Sequence, residues 1–367
     1  MLFRSPMKMK KTISLLLAAA LTLSLGACGA AAPTEMGPAG SVTAPAQTAE
    51  AAAPAAESTA EETVYPVTLT DQAGREVTIE SEPETLVSGY YISTSLMIAL
   101  DLDEKLVGIE AKADTRPIYG LSAPALLDLP SVGTAKEFDL EGCAALEPDL
   151  VILPLKLQDA AASLEELGIT ALVVNPEDQE LLNEAATLIG TATNTQARAR
   201  ELLDFSAAQQ ERLAQTLADA GTPSVYLAGN SDFLSTAGGA MYQSDLIRMA
   251  GGVNVAADVT DTYWVQTSYE QILAWDPDYM ILASDAAYTV DDVLNDPNLA
   301  GCTAVKNGHV YQIPGNAEAW DSPVPSGILG AVWLASVLHP AECPEAETMA
   351  VMDDFYQTFY GFAYHEI

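Results

Sequence analysis

Few residue types that carry covalent or metal chemistry occur in this chain of 367 residues. It has three His and four Cys. His309 begins an apolar run that reads as a strand, His339 ends a helical stretch, and His365 stands apart from both. None shares a ligand spacing with another, so a zinc site built on a His cluster is not expected. No G-x-x-x-x-G-K followed by Ser or Thr, no G-x-S-x-G and no H-E-x-x-H occurs, and the Gly251-Gly252 pair is not a dinucleotide fingerprint. An enzyme is therefore not expected, and neither a cofactor nor a protein-held metal is called for. What remains are recognition groups. In the first part these are Tyr90, Tyr91, Tyr119 and Phe138, with the cations Arg116 and Lys136. In the second they are Phe233, Tyr242, Tyr263, Trp264 and Trp320. Aromatic side chains in loops suit a large flat or apolar ligand. A guanidinium or ammonium in an otherwise acidic chain suits an anionic group. Local packing, or a solvated charge, is the other reading of each.

Composition narrows the partner. Against 51 Asp and Glu stand only 15 Lys and Arg, a formal net charge of −36. Nucleic-acid binding needs the opposite sign. With 49% hydrophobic and 18% charged residues, the chain is not disordered as a whole. Residues 1–27 read as a signal segment. Arg4, Lys8, Lys10 and Lys11 precede the apolar run Ile13 to Leu25, which is shorter than the ~20 residues of a membrane-spanning helix. Leu25-Gly26-Ala27-Cys28 then resembles the lipobox of bacterial lipoproteins. That resemblance makes Cys28 the lipidated residue, with the protein held to the membrane through its lipid. Residues 28–64, rich in Ala, Pro, Thr and Glu, read as a flexible linker.

These residues need elements to position them. Val67–Thr70 and Val77–Ile79 alternate about the turn Gln72-Ala73-Gly74-Arg75, a hairpin. Apolar runs at Leu86–Gly89, Leu106–Ile109, Leu150–Leu153 and Ala171–Val174 alternate with helical patterns at Thr94–Leu100, Glu141–Leu146, Ala160–Leu167 and Gln179–Ile189. Such alternation predicts a parallel sheet covered on both faces. Asn194–Ala220 then runs 27 residues without Pro or Gly, one helix of about 40 Å. The alternation resumes with strands at Ser224–Ala228, Tyr279–Ala283 and Val310–Ile313. Helices are expected at Tyr242–Ala250, Tyr269–Trp275, Ser326–Leu338 and Glu347–Phe359. The expected organisation is an α/β lobe at 65–190, a lobe-spanning helix at 191–221 and a second α/β lobe at 222–367. An internal repeat supports two related halves. Asp139–Leu153 aligns without gaps on Ser268–Leu282, with Glu141/Glu270, Ala145/Ala274, Pro148/Pro277, Asp149/Asp278, Ile152/Ile281 and Leu153/Leu282 identical. Cys143 falls on Ile272, so it reads as a small buried apolar residue. Cys302 and Cys343 lie in the second lobe, where a disulfide is open.

The order of these motifs resembles a known family, the substrate-binding proteins of ABC importers for ferric siderophores, haem and cobalamin. Ser131-Val132-Gly133 precedes Leu140-Glu141 and Glu147-Pro148-Asp149. Ala250-Gly251-Gly252-Val253-Asn254 precedes Ser268-Tyr269-Glu270 and Pro277-Asp278. Trp333-Leu334-Ala335 and Leu338-His339-Pro340 complete the pattern. The resemblance covers about residues 66–340 and implies two Rossmann-like lobes joined by a single long α-helix. It implies an iron chelate captured between the lobes, with cobalamin and then haem as alternatives, and delivery to an ABC permease dimer with its ATPase. It also implies that Glu141 and Glu270, one per lobe, each pair with a permease arginine. Favourable placement in the first helical turn is their other reading, at about 0.3–1 kcal/mol. Many members carry a Glu where Ser95 stands here. The cleft candidates are those recognition groups that follow strands and face the interlobe crevice. Arg116 or Lys136 would meet an anionic chelate. A Tyr or Met ligand to haem iron stays open, with Tyr90, Tyr91 and Met241 nearest. A ligand-sensing lipoprotein on the same fold is the rival from another class.

Overall fold

The computed structural model describes residues 62–367. The expected signal segment, Cys28 and nearly all of the linker lie outside the described residues. Strands β1 (Val67–Thr70) and β2 (Glu76–Ile79) form an antiparallel hairpin. Its turn is organised by Asp71, whose carboxylate accepts from the N–H groups of Ala73 and Arg75 and pairs with the Arg75 guanidinium at 2.7 Å. Gly74 supplies the positive φ (+78°) that this turn requires. The Asp71 carboxylate also accepts from the N–H of Val173, which pins the hairpin to the neighbouring sheet.

That sheet carries the first lobe. The chain runs through β3 (Leu86–Ser88), α1 (Tyr91–Ala99), β4 (Leu106–Gly108), α2 (Pro117–Ser122), α3 (Leu140–Ala145), β5 (Leu150–Pro154), α4 (Gln158–Glu166), β6 (Thr170–Val174) and α5 (Gln179–Ala192). The strands pair in the order β4-β3-β5-β6, all parallel. All five residues of β5 are buried, as an unbroken apolar run in a sheet covered on both faces should be.

Helix α6 (Gln196–Thr216) follows as one continuous helix of 21 residues, about 30 Å long. It is shorter than the Pro- and Gly-free stretch suggests. Asn194 takes a left-handed conformation (φ +60°) that separates α6 from α5, and the chain leaves the helix at Leu217. The second lobe comprises β7 (Ser224–Ala228), β8 (Ser235–Ala237), α7 (Tyr242–Met249), β9 (Val253–Asn254), β10 (Trp264–Gln266), α8 (Tyr269–Trp275), β11 (Tyr279–Leu282), α9 (Val290–Leu294), α10 (Thr303–Asn307), β12 (Val310–Gln312), α11 (Ile328–Leu338) and α12 (Glu345–Tyr360). Its sheet has the order β10-β8-β7-β11-β12, with β9 also beside β7. β7 is parallel to β9 and β11, whereas β8 runs antiparallel to both of its neighbours. The three-residue strands β8 and β10 have too little alternation to be seen in the sequence.

The repeat has a structural counterpart. Asp139 caps α3 by accepting from Gly142 N–H at 2.9 Å, and Ser268 caps α8 by accepting from Gln271 N–H at 3.2 Å. Downstream, one Asp 149 oxygen accepts from the Thr85 N–H and hydroxyl, each at 2.9 Å. The Asp278 carboxylate accepts from the Ser224 N–H and hydroxyl at 2.8 and 2.7 Å. The N–H groups of Asp149 and Asp278 return hydrogen bonds to those same hydroxyls, both at 3.0 Å. Each Pro-Asp thus ties the start of one strand (β5, β11) to the start of its parallel neighbour (β3, β7).

Two helices hold the lobes together. Arg198 of α6 donates to the carbonyl of Ala99, at the end of α1, and to that of Thr358 in α12. Phe205 of α6 packs edge-on against Phe355 and Phe359 of α12. One apolar cluster runs from Leu96 and Ile98 through Phe355 and Ile328 to Val225. Cys143, Cys302 and Cys343 are buried and unpaired. Cys302 and Cys343 belong to different apolar clusters, so no disulfide joins them.

Candidate ligand-binding cleft

Three adjoining hollows lie where the lobes face each other. The middle one, about 310 Å³, is bordered by Tyr90, Tyr91 and Glu177 of the first lobe and by Met241, Tyr263 and Trp264 of the second. It shares Met241, Gln243, Trp264, Asp321 and Ser322 with a hollow of about 480 Å³ on the second lobe. Through Tyr91 it adjoins a hollow of about 60 Å³ that holds Ser95, Arg116, Tyr119, Asp285 and Glu318. A larger hollow of about 540 Å³ exists beside β1 and α5, but it shares no residue with the hollow that both lobes border. The interlobe position makes the cleft the binding site of choice.

Local structure explains the placement. The β3–α1 connection puts Tyr90 and Tyr91 at the start of α1, their rings edge-to-face at 5.1 Å. Arg116, just before α2, lays its guanidinium over the Tyr91 ring at 4.1 Å from the centroid. Trp264 opens β10 and is 38% exposed, and Tyr263 before it is 62% exposed. The starts of α1 and α7 both border the 310 Å³ hollow, and neither has a side-chain cap.

The electrostatics are lopsided. Glu177, Asp232, Asp285, Glu318 and Asp321 border the hollows, whereas among the described residues Arg116 is the one Lys or Arg that does. Two carboxyls here are buried, Glu110 beneath the floor and Glu318 in the wall of the small hollow. Glu110 accepts from the hydroxyls of Thr94 and Tyr119, both at 2.6 Å. Glu318 accepts from Ser95 on α1 and from Ser326 at 2.5 Å, and the Tyr360 hydroxyl lies 2.9 Å from the Ser95 oxygen. Burial raises both carboxyls above the usual carboxylate range, and these hydroxyl donors only partly offset it. Burial likewise raises Asp321, whose carboxylate takes the Ser284 hydroxyl at 2.6 Å.

The structure brings Tyr90, Tyr91, Arg116, Tyr242, Tyr263 and Trp264 to the cleft. Tyr119 borders only the small hollow and is 1% exposed, its hydroxyl spent on Glu110. The others are elsewhere. Lys136 is exposed in the turn between Thr134 and Glu137. Phe138 packs against the apolar cluster around Val132 and Leu153. Phe233 lies among the rings of Tyr226, Tyr269 and Tyr288. Trp320 is buried and donates its indole N–H to the Tyr356 hydroxyl at 2.9 Å. Phe233 follows β7 and Trp320 follows β12, but packing against other rings claims them. Sequence reasoning missed Glu110, Asp285 and Asp321, although the first two follow strands β4 and β11 and that rule reaches them. Gln243 gave no signal, being one polar residue inside a helix. Of the histidines, His309 stacks on Tyr279 at 4.5 Å and His365 pairs with Asp353. Among the described residues no group of three or more His, Cys, Asp or Glu is arranged to hold a metal ion.

The periplasmic binding protein family matches residues 86–317. The chain belongs to that family. It is a solute-binding protein of the ABC-transporter type, extracytoplasmic and not an enzyme. The molybdate-binding protein MolA of Haemophilus influenzae is 28% identical over 323 residues, 81% of this chain and 91% of that protein. An uncharacterised ABC transporter substrate-binding lipoprotein of Bacillus subtilis, YvrC, is 28% identical over 68% of this chain and 79% of its own length. The cobalamin-binding protein of Halobacterium salinarum is 26% identical, covering 75% and 74% respectively. The solved structure of MolA bound to molybdate superposes with a TM-score of 0.70 at 25% identity, over 81% of this chain and 99% of that one. The two-lobe α/β architecture is thus the family's. Among the described residues no helix is long and apolar enough to cross a membrane.

Proposed function

We propose that this periplasmic binding protein captures an intact metal chelate, in the first place an iron chelate of the ferric siderophore class, and hands it to an ABC permease. Lipid on Cys28 would hold it at the membrane surface, and Glu141 and Glu270 would meet the permease. The observation that carries the ligand reading is a cleft of several hundred Å³ that pairs four exposed or half-buried rings with more carboxylates than cations. Tyr90, Tyr91, Tyr263 and Trp264 offer faces and edges to a large organic ligand. The carboxylates oppose a small free dianion. The metal then arrives inside its chelator, as the scattered histidines also favour.

A second reading is a metal oxyanion such as the molybdate named for MolA. It is favoured by the uncapped starts of α1 and α7 on the same hollow, since each helix start is worth roughly half a positive charge. Together with Arg116 they offset only part of the five carboxyl groups that border the hollows. The test is titration of the purified protein with ferrioxamine B, ferric citrate, haem, hydroxocobalamin and molybdate, read by tryptophan emission, with Trp264→Phe as the reporter control. Saturable quenching by a ferric chelate, absent with molybdate, is expected. Quenching by molybdate alone would overturn the chelate reading.

A further inference from the structure

We propose that the second-lobe wall of the cleft is a subsite for a hydrogen-bond-donating arm of the ligand, an ammonium or amide N–H group. It selects chelates that carry such an arm over chelates that end in carboxylates. This rests on the metal-chelate reading and deepens it.

The 480 Å³ hollow is bordered by no Lys, Arg or His. Three of its side chains, those of Gln243, Asp232 and Asp321, are placed as acceptors. Gln243 is 9% exposed, and its side-chain nitrogen donates to the main-chain oxygen of Asp321 at 2.8 Å. A carbonyl oxygen only accepts, so this amide cannot be turned over, and Gln243 Oε1 is committed as an acceptor. That oxygen is buried and has no partner among the described residues, a cost of about 1–3 kcal/mol that a donor would relieve. Asp232 is exposed at the same hollow with its carboxylate already oriented. One oxygen accepts from Leu234 N–H at 2.9 Å and the other from the Gln266 amide at 3.1 Å. Each keeps a lone pair for a further donor. Asp321 adds a buried carboxyl whose range is raised first by burial and further by Asp285, so an approaching cation would favour its ionised form. Trp264 borders this hollow and the middle one. It offers a ring face to the methylene chain of an arm and to a terminal cation. A carboxylate arm would face the like charge of the exposed Asp232 and gain nothing from Asp321, a built-in repulsion.

The test uses matched probes on the full-length protein, with dissociation constants from tryptophan emission and calorimetry. Ferrioxamine B carries an ammonium arm, and ferrioxamine E closes the same hydroxamates into a ring without one. Hydroxocobalamin and its monocarboxylate differ by one amide turned into a carboxylate. We expect the wild type to bind the donor-bearing member of a pair about tenfold more tightly, which corresponds to 1.4 kcal/mol. Asp232→Asn keeps the shape and removes the charge, and should cut that ratio to about threefold. Asp232→Lys should invert it in favour of the carboxylate in the cobalamin pair and in favour of the uncharged ring in the ferrioxamine pair, with unchanged melting curves confirming that both variants fold. Equal binding of both members by the wild type, or an undiminished ratio in Asp232→Lys, overturns the subsite while leaving the chelate reading intact. If only the cobalt pair binds, the iron reading fails and the amide-to-carboxylate ratio alone decides the subsite. If no probe binds, both readings fall.

Discussion

Glu318 is a buried carboxyl held by hydroxyls from both lobes, and the Arg116 guanidinium that borders the same hollow favours its charged form less than those hydroxyls do. Water is excluded there, so the charged form loses its hydration and hydroxyl donors return only part of it. Its folded-state range is raised by burial, then lowered in part by Ser326, Ser95 and Tyr360. The folded protein therefore binds a proton more tightly at this site than the unfolded chain, whose Glu titrates at about 4.3. Stability contributed by the protonated acid is fully present below that unfolded value. It is lost as pH rises towards the raised folded value, because the folded state then carries more protons than the unfolded one. Glu110 and Asp321 act in the same direction. Glu318→Gln is neutral at every pH and nearly isosteric. Its melting temperature relative to the wild type should therefore rise between pH 4.5 and pH 8. A difference that does not change with pH would mean that the Glu318 carboxyl does not titrate in this window.

At the scale of elements, the repeat explains why the two Glu candidates are equivalent. Asp139 and Ser268 begin α3 and α8, and Glu141 and Glu270 are the second residue of each helix. Pro-Asp then anchors the strand that follows to its neighbour in both lobes. Both Glu side chains are exposed, and neither has an ion-pair partner among the described residues. Glu270 is held below the usual carboxylate range by hydrogen bonds from its own backbone N–H and then from Ser268, so it presents a full negative charge. Neither residue borders the cleft hollows. We expect Glu141→Ala and Glu270→Ala each to lower permease association and uptake, by up to the ~2–5 kcal/mol lost when one partner of a buried interfacial pair is truncated. Ligand affinity of the free protein should stay as it was. Uptake assays in cells and titration of each purified variant separate the outcomes. Normal uptake in the double variant would reduce both residues to helix-end carboxylates.

At the scale of the molecule, the lobes are joined by more than one element. Helix α6 contains neither Gly nor Pro and so has no ready point for a kink. Arg198 and Phe205 fasten it to α12, and α12 packs on both α1 and α11. Ser95 on α1 reaches Glu318 and Tyr360 across the lobe boundary. Large hinge opening would break this apolar cluster and expose the buried Glu318. Ligand binding should therefore change the shape of the molecule little. Small-angle scattering curves with and without ferrioxamine B should nearly superpose, and a fall of several Å in the radius of gyration would overturn this expectation.

The sequence by itself determined the local grammar. Apolar runs such as Leu150–Leu153 could only be covered strands, and the stretch after Asn194 could only be helix, because periodicity and Pro or Gly placement act within a few residues. The repeat was legible for the same reason, as its caps and Pro-Asp ties lie close in sequence. Tyr90, Tyr91, Arg116, Tyr263 and Trp264 were also within reach, since they follow strands or sit in loops. Tertiary structure alone decided which aromatics border the cleft. Phe233 and Trp320 look like Trp264 in the sequence, but packing from residues far along the chain closes over them. It alone brought Ser95 to Glu318, 223 residues away, and set the Gln243 amide by a bond to Asp321, 78 residues on. The first contact depends on how the two lobes meet and the second on packing within the second lobe, and no local pattern encodes either.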